Sequence, residues 1–221
     1  MTRPYLAVVP IKPEYGPTLG RLLSPRWRAA SPLTRAAVSI LAVAAVAAIV
    51  AGVLALLNAH YSRGGRVPFS FSYRSLYRVP ADPGGYVKVQ RRRADGRLQD
   101  SFAVEPLTLP PYAGELSGEL PLFAAGYVRG LAQHYRGFVL RGEGKTRVNN
   151  VPAYNVLYTA VVEGHTMWGR DVLLLPPRRG AREGVDIVML TSPSASPQVS
   201  SPLEVASAGV LLRPLKTFTF H

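Results

Sequence analysis

Gly142-Glu143-Gly144-Lys145-Thr146 ends in the letters of a phosphate-binding loop. In that motif backbone N–H groups and a lysine cradle phosphates at the start of a helix. It also needs a glycine five residues before the second one, where this chain has Val139. Arg147-Val148-Asn149-Asn150-Val151-Pro152 follows, a strand-and-turn sequence rather than a helix, so the segment reads as the edge of a strand. The four histidines, His60, His134, His165 and His221, stand at no metal-ligand spacing. No Gly-x-Ser-x-Gly elbow marks a nucleophilic serine. An acid–base pair assembled only in space would leave no spacing to read. The expectation is therefore of no catalytic residue, no cofactor and no metal.

The densest charge is Arg91-Arg92-Arg93, with Arg97 across a turn. Four guanidinium groups around one hairpin can hold phosphate or carboxylate through paired N–H contacts. They also suit a solvated strand edge that resists aggregation. Contact with an anionic lipid surface or envelope polymer is the functional expectation for these four. Arg170-Asp171 reads as a structural ion pair or a strand-surface pattern.

These groups belong to a chain dominated by one apolar run. Ala36 to Leu57 is 22 apolar or small residues without a charge, flanked by Arg35 and Arg63. As a helix it spans about 33 Å, enough for a hydrocarbon core of ~30 Å. A cleaved signal peptide would have a shorter apolar region nearer the start and a small-residue cleavage site. Here Asn58-Ala59-His60-Tyr61 follows, a poor site. A buried core helix would need cover on all sides. The run reads as a transmembrane helix over 36–58, between a basic, Pro-rich cytoplasmic tail (1–35) and a tether (59–67). The tail holds six basic residues against Glu14, which places the N-terminus inside by the positive-inside rule. Ala44, Ala48 and Gly52 form one small-residue stripe, and Ala47, Ala51 and Ala55 another. Either would let two helices approach closely, so a homodimer through the span is an expected partner mode.

Composition narrows the rest. With no cysteine there is no disulfide, thiolate metal site, catalytic thiol or lipid-modified cysteine. Arginine outnumbers lysine 22 to 4, a bias that points to GC-rich bacterial coding. The net charge is +13. Residues 63–221 contribute +8 of it, from 20 basic and 12 acidic residues. Such a domain is drawn to anionic lipid and envelope polymers. The charge is scattered and no nucleic-acid motif is present, which argues against nucleic acid.

Beyond the tether, Phe69, Phe71 and Tyr73 alternate with polar residues as in a half-buried strand. Tyr86–Arg92 and Leu98–Val104 are two more strands, joined through Asp95-Gly96. Residues 105–118 read as a loop. Leu120, Phe123, Ala124, Tyr127, Val128, Leu131 and Tyr135 recur at three and four, an amphipathic helix with Pro121 in its first turn and Gly137 past its end. Four strands follow (138–147, 153–163, 165–175 and 185–190), then a Ser/Pro loop (192–200). Ser201-Pro202-Leu203-Glu204 is a capping box that predicts a last helix to Arg213, stopped by Pro214. The order β-β-β, α, β-β-β-β, α implies an α+β domain over 68–221 with an antiparallel sheet flanked by helices.

Val148-Asn149-Asn150-Val151-Pro152-Ala153-Tyr154, Trp168-Gly169-Arg170-Asp171-Val172-Leu173-Leu174 and Leu212-Arg213-Pro214-Leu215-Lys216-Thr217-Phe218, in that order of elements, resemble the PsbP-like α/β/α sandwich. The same fold occurs in small actinobacterial envelope proteins, many of them lipoproteins. The resemblance covers roughly residues 68–220 and implies non-enzymatic binding or assembly proteins. Lacking cysteine, this chain departs from the lipoprotein members and depends on its helix for anchoring. The expected function is a non-catalytic, membrane-anchored module outside the plasma membrane. Its partners would be the bilayer and another envelope protein or an anionic polymer. A carrier or sensor holding an apolar or anionic ligand between sheet and helix is the alternative, and a cell-wall enzyme a weaker one.

Overall fold

The computed structural model describes residues 31–56, 58–110, 116–178 and 180–221. The tail 1–30 and residues 111–115 of the expected loop lie outside the described residues. The chain divides into two compact units near residue 56.

The first unit is helix α1, Pro32–Leu56. It starts one turn before the expected span, because Ser31 Oγ accepts the N–H of Thr34 at 3.2 Å and Pro32 fits the first helical position. Residues 32–35, assigned to the tail by sequence, are thus helical. The span Pro32–Gly52 is long and apolar enough to cross a membrane.

In the second unit the strands are β1 (Ala59–Arg63), β2 (Phe69–Tyr73), β3 (Tyr77–Val79), β4 (Val87–Arg92) and β5 (Leu98–Thr108). Helix α2 (Leu116–His134) precedes β6 (Arg136–Val148), β7 (Val151–Val162), β8 (His165–Leu174) and β9 (Glu183–Thr191). A short helix α3 (Leu212–Thr217) and strand β10 (Thr219–Phe220) complete the unit. Seven strands form one antiparallel sheet in the order β3-β4-β5-β9-β8-β7-β6. A second sheet, β1-β2-β10, packs over one of its faces. The unit is the expected α+β domain, antiparallel sheets flanked by helices.

Side-chain alternation sorts the big sheet into two cores. One face, with Leu107, Val156, Tyr158 and Leu173, lies under α2 through Leu120 and Ala124. The other, with Phe102, Val104, Val172, Ile187 and Met189, lies under β2, α3 and the end of the chain. An aromatic cluster locks that second layer. Phe71 meets Phe102 at 4.9 Å between ring centres, and Phe69 meets Phe218 at 5.3 Å.

Several boundaries differ from the sequence reading. Residues 59–63 form β1 rather than a tether. Tyr61 turns inward opposite Phe71, and Gly64-Gly65 makes the return to β2. Covered on both sides, β2 is nearly wholly buried instead of half-buried. Strand β5 runs to Thr108, through what was read as loop, because its ladder with β9 continues to Glu183. Helix α2 starts at Leu116, which puts Pro121 inside it.

The predicted helix 201–213 is a single 3-10 turn, Pro202–Glu204, followed by an irregular stretch. Glu204 accepts from Ser200, N–H at 2.8 Å and Oγ at 2.9 Å, one residue before the expected cap. Val205, Ala206 and Leu211 are all buried, and five and six residues separate Leu211 from the first two, a spacing one helix face does not provide. Ala206 (φ +61°) and Gly209 (φ +72°) break the helix to reach that burial. Pro214 then sits in the first turn of α3, where its missing N–H has no helical partner to lose.

Candidate functional site

The four sequence-selected arginines separate in space. Arg91 gives Nε (2.9 Å) and Nη2 (2.6 Å) to Asp100 Oδ2, and Nη2 also reaches the Ala195 carbonyl at 3.3 Å. Asp100 is itself buried and accepts Thr191 Oγ1–H at 2.8 Å. Arg92 makes a two-point pair with Glu163 at 2.9 and 2.7 Å. Hydrogen bonding from Arg92 holds the Glu163 carboxyl below its usual range. Arg93 donates to the Ser194 side chain and carbonyl. Arg97 lies 3.5 Å from Asp95. A bulge between Arg91 and Arg92 adds to the strand alternation that sends neighbours different ways.

Arg91 instead joins two arginines distant in sequence. Arg74, Arg91 and Arg213 line an open cleft of about 390 Å³ with Ser75, Ser196 and Gln198. The turn after β2, the Ser/Pro loop and the start of α3 form its walls. Arg91, Arg93 and Gln99 pin the Ser/Pro loop by its carbonyls. Among the described residues, the Arg74 and Arg213 side chains have no hydrogen-bond or ion-pair partner. Both are isolated single arginines in the sequence, so no local signal could have found them. A second open cleft, about 430 Å³, is lined by Arg141, Thr159, Trp168 and Leu203. The histidines do not converge: His60 lies near Ser72 Oγ (3.3 Å), His221 near Ser70 Oγ (2.7 Å), and His134 and His165 are exposed.

The Arg170-Asp171 pairing does not form. Adjacent on β8, the two project to opposite faces. Arg170 donates to the Val205 carbonyl at 3.1 Å, and Asp171 lies under α2. There Tyr127 Oη bridges Asp171 Oδ2 (2.7 Å) and Asp186 Oδ2, while Tyr158 Oη donates to Asp171 Oδ1 at 3.0 Å. Register puts Glu105 directly across from Asp186.

One phenol proton cannot serve two carboxylates, so the geometry needs a second proton. Tyr127 donates to Asp171 and accepts from a protonated Asp186. Burial, then the nearby Asp171 charge, pushes Asp186 well up from the ordinary carboxyl value. Burial pushes Asp171 up to about 7, against the pull of the two tyrosines. Burial and both aspartates raise Tyr127 well above a free phenol. None of these groups lines either cleft. The pair is a sealed polar clasp between α2 and the sheet, and no spacing announces it because it joins a helix to two strands.

No protein-family model and no curated protein sequence matches the chain. Among solved structures, it is similar to LpqN of Mycobacterium tuberculosis, described as involved in cell envelope biogenesis. The identity is 9%, over 74% of this chain and 91% of that one, with a TM-score of 0.51. It also matches the solution structure of cyanobacterial PsbP from Synechocystis at 17% identity, over 74% and 92%, with a TM-score of 0.46. Behind an N-terminal apolar helix, the domain shares the fold of LpqN, and that similarity is one of fold alone.

Proposed function

We propose that this chain is a membrane-anchored, non-catalytic binding or assembly module of a bacterial cell envelope. Its basic tail lies in the cytoplasm and residues 59–221 lie outside the plasma membrane. The observation that carries the reading is α1, a helix of 25 residues whose span Pro32–Gly52 is long and apolar enough to cross a membrane. Exposing that much apolar surface to water is strongly unfavourable, and a bilayer removes the cost. The envelope role described for LpqN, and the excess of basic residues before α1, support the location and orientation.

The filled core favours a binding surface over an internal carrier. Leu120, Ala124, Tyr127 and Tyr158 occupy the space between α2 and the sheet. Acid–base chemistry is disfavoured because the shifted carboxyls Asp171 and Asp186 are sealed from solvent. The reading extends to self-pairing through Ala44, Ala48 and Gly52, where a Cβ built on Gly52 meets nothing within 4 Å.

Protease added to spheroplasts should digest residues 59–221, and their protection would overturn the orientation. Crosslinking in intact membranes should yield species heavier than the chain alone. Recovery of the monomer only would overturn the assembly role.

A further inference from the structure

We propose that the cleft lined by Arg74, Arg91 and Arg213 is a binding site for a phosphate group. This deepens the reading of the domain as a binding module and rests on it. Three guanidinium groups line one cleft, and a single carboxylate, Asp100, offsets them from behind Arg91. Asp100 and the Ala195 carbonyl take Arg91 Nε and Nη2, so Nη1 is left without a protein partner. Arg74 and Arg213 have neither an acid nor a carbonyl among the described residues. About two positive charges are therefore unmatched. That suits a phosphate monoester dianion better than a single carboxylate.

The donors also match in kind. Guanidinium forks pair with the oxygens of a tetrahedral oxyanion, and hydroxyl and amide groups add further N–H and O–H donors. Ser75, Ser196 and Gln198 supply those groups in the same cleft. The site is also built rather than accidental. Arg91 is oriented by the buried Asp100, and the Ser/Pro loop is held in place by Arg91, Arg93 and Gln99. At about 390 Å³ the cleft exceeds a bare phosphate, so the group is one end of a larger molecule. A phosphorylated lipid headgroup and a soluble phosphate ester present the same chemistry.

The test uses the full chain in phosphatidylcholine nanodiscs, titrated calorimetrically with inorganic phosphate and with glycerol 3-phosphate at constant ionic strength. Binding is read on the disc-bound or soluble fraction, whichever the chain occupies. Saturable binding at one site per chain is expected. Arg74→Gln and Arg213→Gln should each weaken it at least tenfold. Arg129→Gln, on the exposed side of α2, removes the same charge and should leave it unchanged. Discs containing phosphatidic acid, a lipid phosphate monoester, should suppress glycerol 3-phosphate binding if a lipid headgroup is the source, and leave it intact if the source is soluble. No saturable binding, or equal weakening by Arg129→Gln, overturns the site. Either result leaves the anchored module standing, whereas a chain that fails to enter the discs counts against the module alone.

Discussion

Asp186→Asn should make the protein more stable at neutral pH, although it alters a fully buried carboxyl. The expectation follows from the proton that Tyr127 requires on Asp186. An asparagine amide is neutral at every pH and its N–H can donate to the Tyr127 oxygen as the carboxyl O–H does. In the unfolded chain Asp186 ionises with a pKa near 3.9, while in the folded state burial and the nearby Asp171 charge raise it well above that value. A group whose folded pKa is raised stabilises fully below its unfolded pKa, and that stability is lost as pH rises. The wild type thus loses about 1.4 kcal/mol per pH unit above pH ~4 from this group, until the folded-state carboxyl itself ionises. The variant escapes that loss and gives up about 1 kcal/mol of hydrogen bonding, so it comes out ahead once the pH-dependent loss exceeds that amount, and its lead widens as pH rises. Asp171, raised to about 7, adds a loss of its own that ends near pH 7. Urea unfolding of the full chain in nanodiscs at pH 5, 6, 7 and 8, followed by tryptophan fluorescence, measures the difference. A variant less stable than wild type at pH 7, or a gap independent of pH, would refute the proton assignment.

Other substitutions probe the two cores. At Gly169 an added Cβ would lie 2.3 Å from the Tyr158 ring. Gly169→Ala should therefore cost about 2 kcal/mol or more, seen as a lower melting temperature by circular dichroism. Phe71→Ala removes a fully buried ring in contact with Tyr61, Tyr73, Phe102 and Phe218, and should cost about 3–5 kcal/mol in denaturant titration. Asn149 Nδ2 donates to the Lys216 (2.8 Å) and Phe218 (2.6 Å) carbonyls. Asn149→Asp keeps the left-handed turn and removes both donors, so the amides of β10 should exchange with deuterium markedly faster. Unchanged exchange there would show that the chain end is held by its aromatic packing alone.

The elements with a regular period were legible. Alternation placed β2, although the fold covers both of its faces, and the three-and-four spacing placed α2, because each pattern is set by neighbours within one element. The apolar run of α1 was legible for a different reason, since its length and composition alone mark it. Helix 201–213 was misread because its capping signal is local, whereas Val205, Ala206 and Leu211 answer to the core beneath them. Strands β1 and β10 are short, and only their pairing with β2 makes them strands.

The sites divide along the same line. Arg91-Arg92-Arg93 and Arg97 were conspicuous as a run, yet alternation and a bulge scatter them among Asp100, Glu163, Ser194 and Asp95. Arg74 and Arg213 are inconspicuous, and folding brings them beside Arg91. Sequence by itself determined that the chain carries a membrane-length apolar helix and a basic α+β domain, properties that depend on residue type and short-range order. The tertiary structure alone decided which cations remain unpaired and which carboxyls share a proton, because both depend on distances between residues far apart in the chain.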